Sequence, residues 1–198
     1  MEVDLLRHGA CEGGPILRGG GRDDPLSPEV WRQMEAALRG AGPWRRILTS
    51  PLRRCSEFAW RLARRTGTRL ETVAELAEMG FGRWEGRTTR ELADEPGYLQ
   101  RLVDPAAATP PEGESWEAFR ARVCAGWEAV LAGTGPVLVV THGGVIRLIL
   151  GLVLGMPDEA LLRIEVPPAC RTRLRCGVDE AGRRWASLIA HVPPELGG

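Results

Sequence analysis

Arg7-His8-Gly9 and Thr141-His142-Gly143-Gly144 each place an imidazole, followed at once by glycine, just past an apolar run. The runs are Val3-Asp4-Leu5-Leu6 and Val137-Leu138-Val139-Val140, and both read as short buried strands. Open α/β sheets build ligand sites where such strands run out into loops. Two strand ends that each deliver a His-Gly pair point to one pocket made from both. The chemistry they suggest is phosphoryl transfer, with one imidazole as carrier and arginines around it. An arginine fork matches phosphate oxygens bidentately and keeps its charge, and imidazole is a competent nucleophile near neutral pH.

Two further stretches carry suitable side chains. In Ser50-Pro51-Leu52-Arg53-Arg54-Cys55 a strand ends and a helix starts. Glu78-Met79-Gly80-Phe81-Gly82-Arg83-Trp84-Glu85-Gly86 is an aromatic, glycine-rich loop bearing two carboxylates. A phosphomonoester dianion needs its charge balanced, a nucleophile in line and a proton for the leaving alkoxide. These stretches contain a residue type for each task.

The elements that must position these residues alternate between strand and helix. Val3–Leu6 reads as the first strand. Gly13–Asp24 is a loop with five glycines and two arginines, Arg18 and Arg22. Ser27 is the expected N-cap of a helix with Pro28 at its first position, running to about Arg39. Ile47-Leu48-Thr49 is a short buried strand. Ser50-Pro51 is expected to begin a second helix, with Leu52, Cys55, Ala59 and Leu62 on one face. Residues 70–76 read as an edge strand, and Thr88–Arg101 as a helix broken at Pro96-Gly97. Ser115 to Leu131 is the clearest helix, with Trp116, Phe119, Val123, Trp127, Val130 and Leu131 at helical spacing. A helix over Val145–Leu154 follows the 137–140 strand, and Thr172–Val178 and Ser187–Val192 form a closing hairpin. The pattern predicts an α/β fold, a three-layer α/β/α sandwich with a mostly parallel central sheet, as one domain over residues 1–198.

Bulk composition narrows the function. The 198 residues carry 26 basic and 26 acidic side chains, for a net charge of zero, which argues against a nucleic-acid binder and a polybasic membrane anchor. Every basic residue is arginine, so lysine chemistry such as a Schiff base is excluded. The five cysteines (Cys11, Cys55, Cys124, Cys170 and Cys176) are scattered without C-x-x-C spacing, which predicts neither a zinc cluster nor a disulfide framework. No signal-peptide pattern opens the chain, and the apolar stretch near Val145–Met156 is too short and too polar to span a bilayer. The expectation is a soluble cytoplasmic protein without metal or cofactor, and a homodimer is the one assembly carried forward.

Taken together, R-H-G, S-P-L-x-R, E-x-x-F-G-x-W-E-G, G-E-S and T-H-G-G in this order resemble the histidine phosphatase, or phosphoglycerate-mutase-like, superfamily over nearly the whole chain. Within it the chain looks most like the α-ribazole phosphatases of cobalamin synthesis. Arg22-Asp23-Asp24-Pro25-Leu26-Ser27 with Trp31-Arg32-Gln33-Met34, and Pro111-Glu112-Gly113-Glu114-Ser115, carry that closer likeness. The resemblance implies that His8 is the nucleophile, forming a phosphohistidine, while a backbone carbonyl orients its other nitrogen. It implies Arg7 and Arg54 as phosphate clamps, His142 as a donor to the phosphoryl oxygens, and Glu78 as general acid and then base. It also implies backbone anion stabilisation near Gly143. No metal is required. The implied activity is metal-independent hydrolysis of a small-molecule phosphate ester, with α-ribazole 5′-phosphate as the best match. A phosphoglycerate mutase-type phosphotransferase and a broad-specificity sugar or protein phosphatase are the alternatives. Mutases of this kind are longer, which favours hydrolysis for 198 residues.

Some positions keep two readings. Arg18 and Arg22 belong either to a loop that closes over substrate, in which case Arg22 joins Arg7, Arg54, His142 and Gly143 as a substrate contact, or to a solvated surface. Glu85 is either structural or a second acid candidate; Ser115 reads as the cap of its helix, and Glu114-Ser115 also has a reading in which it faces the pocket. Arg53 reads as a solvated helix residue and His191 as structural. Ala10-Cys11-Glu12 and Gly80 depart from the family pattern, which bears on leaving-group contacts more than on phosphate chemistry.

Overall fold

The computed structural model describes residues 1–194. Its centre is a six-stranded sheet in the order β3-β2-β4-β1-β5-β6. The strands are β1 (Glu2–Arg7), β2 (Arg46–Thr49), β3 (Arg69–Thr72), β4 (Val137–Thr141), β5 (Arg171–Val178) and β6 (Arg184–Val192). The pairs β1–β4, β4–β2 and β2–β3 are parallel, whereas β5 and β6 form an antiparallel hairpin against β1. The mostly parallel sheet is therefore as expected.

Side chains alternate across the sheet with period two. Leu6, Ile47, Leu138 and Val140 face α1 (Val30–Ala37) and α2 (Arg53–Thr66), which offer Met34, Phe58 and Leu62. Val3, Leu5, Leu48, Val137 and Val139 face α5 (Trp116–Leu131) and α6 (Gly143–Leu154). Each fully buried aliphatic side chain contributes about 1.5–3 kcal/mol, so both helical layers are firmly held. The apolar run of α6 is explained by this position: Val145, Ile146, Leu148, Ile149 and Leu150 are all buried. Among the described residues no helix is long and apolar enough to cross a membrane.

Three boundaries differ from expectation. The first helix starts at Val30, not at Pro28, and ends at Ala37. Leu26 bridges to Cys11, the Ser27 N–H donates to the Ala10 carbonyl at 3.1 Å, and the Ser27 carbonyl accepts from the Val30 N–H at 3.2 Å, so a turn precedes the helix and Ser27 makes no side-chain cap. The second helix starts at Arg53, because Ser50 is still tied to β4 through its N–H and the Val140 carbonyl. The third strand stops at Thr72, and Ala74–Leu76 is a 3₁₀ turn. The expected break at Pro96-Gly97 falls between α3 (Thr89–Leu92) and α4 (Tyr98–Val103). Ser115 caps α5 by accepting from the Ala118 N–H at 3.1 Å.

Above the carboxyl ends of the strands sits a third, small cluster: Trp84, Leu92 and Tyr98, packed with Leu17 and Phe81. It is drawn from the loops after β1 and β3 and from the short helices α3 and α4, and it roofs the space over the sheet.

Candidate active site

Register brings the two histidines together. Arg7 of β1 pairs with Thr141 of β4, so the next residues, His8 and His142, leave adjacent parallel strands side by side. Thr49 of β2 pairs with Val140, which places Ser50 on the other side of His142. The imidazoles of His8 and His142 meet edge to face with centroids 5.1 Å apart.

His8 is locked at both ends. Its N–H donates to the Thr141 carbonyl at 2.9 Å, and its Nδ1 lies 2.7 Å from the Gly9 carbonyl, an acceptor that assigns the proton to Nδ1. Nε2 is then the nitrogen with the free lone pair, on a ring that lines the main cavity. The turn demands glycine after the histidine, since a Cβ on Gly9 would stand 1.7 Å from Val30 Cγ1. Burial, then the charges of Arg7 and Arg54, push the His8 imidazole well below its ordinary pKa. The ring therefore stays neutral and nucleophilic.

His142 and Arg54 lie behind His8, fully buried. Arg54 Nε donates to His142 Nδ1 at 3.3 Å, which leaves His142 Nε2–H to donate to Ser50 Oγ at 2.7 Å. Arg54 also donates to the Arg22 carbonyl at 2.6 Å and to the Gly19 carbonyl at 2.9 Å. It has no carboxylate partner among the described residues. Burial, then His8 and the neighbouring arginines, lowers the His142 pKa well below the ordinary value too.

Arg7 reaches the cavity from the other side. It donates from Nη1 to the Val166 carbonyl, and its buried Nε has no partner among the described residues. Burial lowers its pKa, and Glu78 acts in the opposite direction. Glu78 is fixed at the first turn of α6, where Oε2 accepts the Gly144 N–H at 3.0 Å and Oε1 accepts the Met79 N–H at 3.1 Å. Gly143 and Gly144 line the same cavity as Arg7, His8 and Glu78.

The structure thus brings Arg7, His8, Glu78 and Gly143 to one cavity of about 680 Å³, with Arg54 and His142 backing it. It does not bring Arg22 in: that guanidinium pairs with Asp24 at 2.7 Å, and only the Arg22 carbonyl contacts a site residue. Arg18 lines the cavity while paired to Asp24 at 2.8 Å. Glu85 serves structure, with Oε1 accepting from the Phe81 N–H at 2.9 Å and the Gly21 N–H at 3.2 Å. Arg53 is exposed and paired with Glu57, and His191 contacts Thr172 and the Glu165 carbonyl.

Three arginines had no role assigned from the sequence, although Arg147 ends the Thr141–Arg147 stretch that was expected to converge on the site. Arg147, one turn into α6, lines the cavity and donates to the Ile164 carbonyl at 2.8 Å. Arg122 holds the loop bearing Glu78, donating to the Ala77 and Glu78 carbonyls at 2.7 and 3.0 Å while gripping Glu114. Glu114 accordingly supports its loop. Arg101 is buried in the cavity wall. In a chain whose cations are all arginine, residue type offers no contrast that marks these three, although the i+8 spacing of Arg122 from Glu114 was available. Among the described residues no group of three or more His, Cys, Asp or Glu is placed to hold a metal.

Comparison with known proteins agrees with this geometry. A family profile described as the histidine phosphatase superfamily (branch 1) matches residues 3–187. A bifunctional protein of Mycobacterium tuberculosis is 35% identical over 169 residues, covering 82% of this chain and 46% of that protein, so the chain matches about half of that relative's length. An adenosylcobalamin/alpha-ribazole phosphatase of Salmonella typhi is 31% identical over 182 residues, covering 86% of this chain and 88% of the relative. The solved structure of a mycobacterial glucosyl-3-phosphoglycerate phosphatase superposes with a TM-score of 0.81 at 27% identity, covering 95% of this chain and 96% of that one.

Proposed function

The chain belongs to the histidine phosphatase superfamily, and from that membership we propose that it hydrolyses a small phosphomonoester through a phosphohistidine on His8. The observation that carries this is the His8 ring itself: Nδ1 is committed to the Gly9 carbonyl, and the free Nε2 belongs to a cavity that also holds a carboxyl group, Glu78.

In the first step the Nε2 lone pair attacks phosphorus and the bond to the leaving oxygen breaks. Glu78, entering as the carboxylic acid, gives its proton to the departing alkoxide. In the second step the Glu78 carboxylate takes a proton from water, the water oxygen attacks phosphorus, and the P–N bond breaks to regenerate neutral His8. Arg7 and the Gly143 N–H at the start of α6 stabilise the equatorial oxygens, the Gly144 N–H being committed to Glu78. Arg54 and His142 meet the phosphoryl group once it competes with the carbonyls and hydroxyl that now hold them. No step in this scheme needs a metal.

For the substrate we propose α-ribazole 5′-phosphate. The named Salmonella relative and the aromatic walls of the cavity support it. The test is phosphate release with EDTA present from α-ribazole 5′-phosphate, 3-phosphoglycerate, a glucosyl phosphoglycerate and p-nitrophenyl phosphate, together with quench-trapping of an acid-labile, base-stable phosphoenzyme. Turnover that vanishes in His8→Ala, with the α-ribazole ester preferred, is the expected result. Undiminished turnover in His8→Ala overturns the covalent route. Phosphoryl transfer between phosphoglycerates without release to water replaces hydrolysis by mutase activity.

A further inference from the structure

Glu78 lies on a stretch with no regular structure of its own, between the 3₁₀ turns Ala74–Leu76 and Gly82–Trp84. Its carboxyl group accepts from the Gly144 and Met79 N–H groups. The first is an outside anchor, whereas the second moves with the stretch itself. Neither holds the backbone that carries the side chain, and outside helix and sheet that backbone needs other partners.

An ion pair from two other segments supplies them. Arg122, on α5, donates to the Ala77 and Glu78 carbonyls at 2.7 and 3.0 Å, and neither carbonyl has another partner among the described residues. It donates to the Glu75 carbonyl at 3.0 Å and to Glu114 Oε1 and Oε2 at 2.6 and 2.8 Å. These bonds use the whole donor capacity of the guanidinium. Its carbon also lies 4.9 Å from the Phe119 ring centroid. Glu114 closes on the other flank of Glu78, where Oε2 accepts the Gly80 N–H at 3.1 Å and its own N–H donates to the Gly80 carbonyl at 2.7 Å.

The acid is thus braced on both sides by a single pair. That pair is three-quarters or more buried, where a bidentate charged contact holds its geometry better than on the surface. Neither side chain lines the cavity, so neither touches substrate. Proton transfer requires the donor within hydrogen-bond reach, and a misplacement of about 1 Å costs on the order of 10²-fold. The nucleophile depends on other anchors, since His8 is held by Thr141 and Gly9.

Building on the phosphatase reading, we propose that Glu114 and Arg122 act together as the positioning device of the proton donor. They fix the Glu78 carboxyl against the leaving oxygen, and then against the attacking water, while the attack of His8 on phosphorus proceeds without them.

The test compares an alkyl monophosphate, whose alkoxide needs a proton, with p-nitrophenyl phosphate, whose phenolate does not. Both esters are measured on the same preparation, so loss of folded enzyme cancels in the ratio. Arg122→Met is expected to lower kcat/KM for the alkyl ester by about 10- to 100-fold more than for the aryl ester, the upper figure being the lower end for general acid catalysis. With p-nitrophenyl phosphate, phosphohistidine should accumulate in the steady state, because its formation is spared while its hydrolysis still needs Glu78 as base. Glu114→Gln keeps an acceptor for the Gly80 N–H but gives up the charge, and should show the same pattern at smaller amplitude; it carries the test if Arg122→Met does not fold. In a Glu78→Gln background, Arg122→Met should cost nothing further on the alkyl ester, since no acid remains to be positioned.

Equal losses on both esters without accumulation of phosphoenzyme, or an undiminished further loss in the Glu78→Gln background, would reduce the pair to a support of the fold and overturn the proposal. If Glu78→Gln itself spares the alkyl ester while turnover still depends on His8, the acid reading beneath the proposal fails. If Glu78→Gln shows the selective loss and the Arg122 and Glu114 variants do not, only the positioning role falls.

Discussion

Gly144 donates its backbone N–H to Glu78 Oε2 at 3.0 Å, and the absence of a side chain on Gly144 is what admits the carboxylate. A Cβ there would stand 2.4 Å from Glu78 Oε1. The first turn of a helix that receives a carboxyl group in this way satisfies an orphan N–H and fixes the side chain in place. Gly144→Ala therefore displaces the proposed acid without touching His8. We expect kcat on an alkyl phosphate to fall by about 10²-fold, the lower end for general acid catalysis, with a much smaller loss on p-nitrophenyl phosphate, whose leaving group needs no proton. Equal losses on both would place the acid elsewhere.

Acid should destabilise the protein through its two buried site histidines. Both have pKa values depressed by burial and by positive neighbours. Below about pH 6.5, the ordinary histidine value, the unfolded chain takes up protons that the folded chain refuses. Stability is then complete above that pH and drains as the pH falls, at up to about 1.4 kcal/mol per pH unit for each histidine. Denaturant unfolding between pH 7 and pH 5 measures the slope. His8→Asn and His142→Asn should each flatten it, and an unchanged slope in both variants would remove the histidines as its cause.

Arg54→Lys separates charge from geometry. Lysine keeps the charge but cannot serve the Gly19 carbonyl, the Arg22 carbonyl and His142 Nδ1 together. The expected outcome is faster amide exchange over residues 19–24 and a KM raised by roughly tenfold, the effect of losing one charged hydrogen bond. A raised KM with exchange unchanged would confine Arg54 to phosphate binding and end its role in tethering the loop.

Asp4 offers a stability test away from the chemistry. It is 2% exposed and accepts from Trp44 Nε1 at 2.9 Å and from Arg173 Nε and Nη2 at 2.9 and 3.0 Å. Asp4→Ala strands the indole N–H and breaks the fork, and should cost about 2–3 kcal/mol. The figure is kept low because Arg173 retains contact with water. Chemical denaturation should show the loss while kcat stays within about twofold, since the Asp4 carboxylate partners are Trp44, Arg171 and Arg173 and not the site residues. A fall in kcat well beyond that would link β1 packing to the position of His8.

Much of this was legible before any coordinates. Val3 to Leu6 and Val137 to Val140 alternate and concentrate apolar side chains as parallel strands do, and a residue just past a strand's carboxyl end has few places to go but the site. The stripe from Trp116 to Val130 follows the helical repeat, and Ser115 caps it as expected. Ser27 misled because capping preference is local, while the pairing of its N–H with the Ala10 carbonyl across the loop and the turn to Val30 delay the helix. Arg22 misled because only its carbonyl, a group common to all residues, reaches the site.

By itself, then, the sequence determined the residue types at the strand ends, the order of the elements and the family they resemble, because these depend on neighbours along the chain. Tertiary structure alone decided that His8 and His142 share an edge through the Arg7–Thr141 register, that Arg54 serves carbonyls as well as His142, and that Arg122 holds the loop of Glu78. It alone set Arg101 and an unpaired Trp84 N–H in one apolar wall. Periodicity records which face a residue takes within its own element. Partners across the molecule are chosen by strand register and by the packing of every element at once, and in a chain whose only cation is arginine no residue type announces which of them it will be.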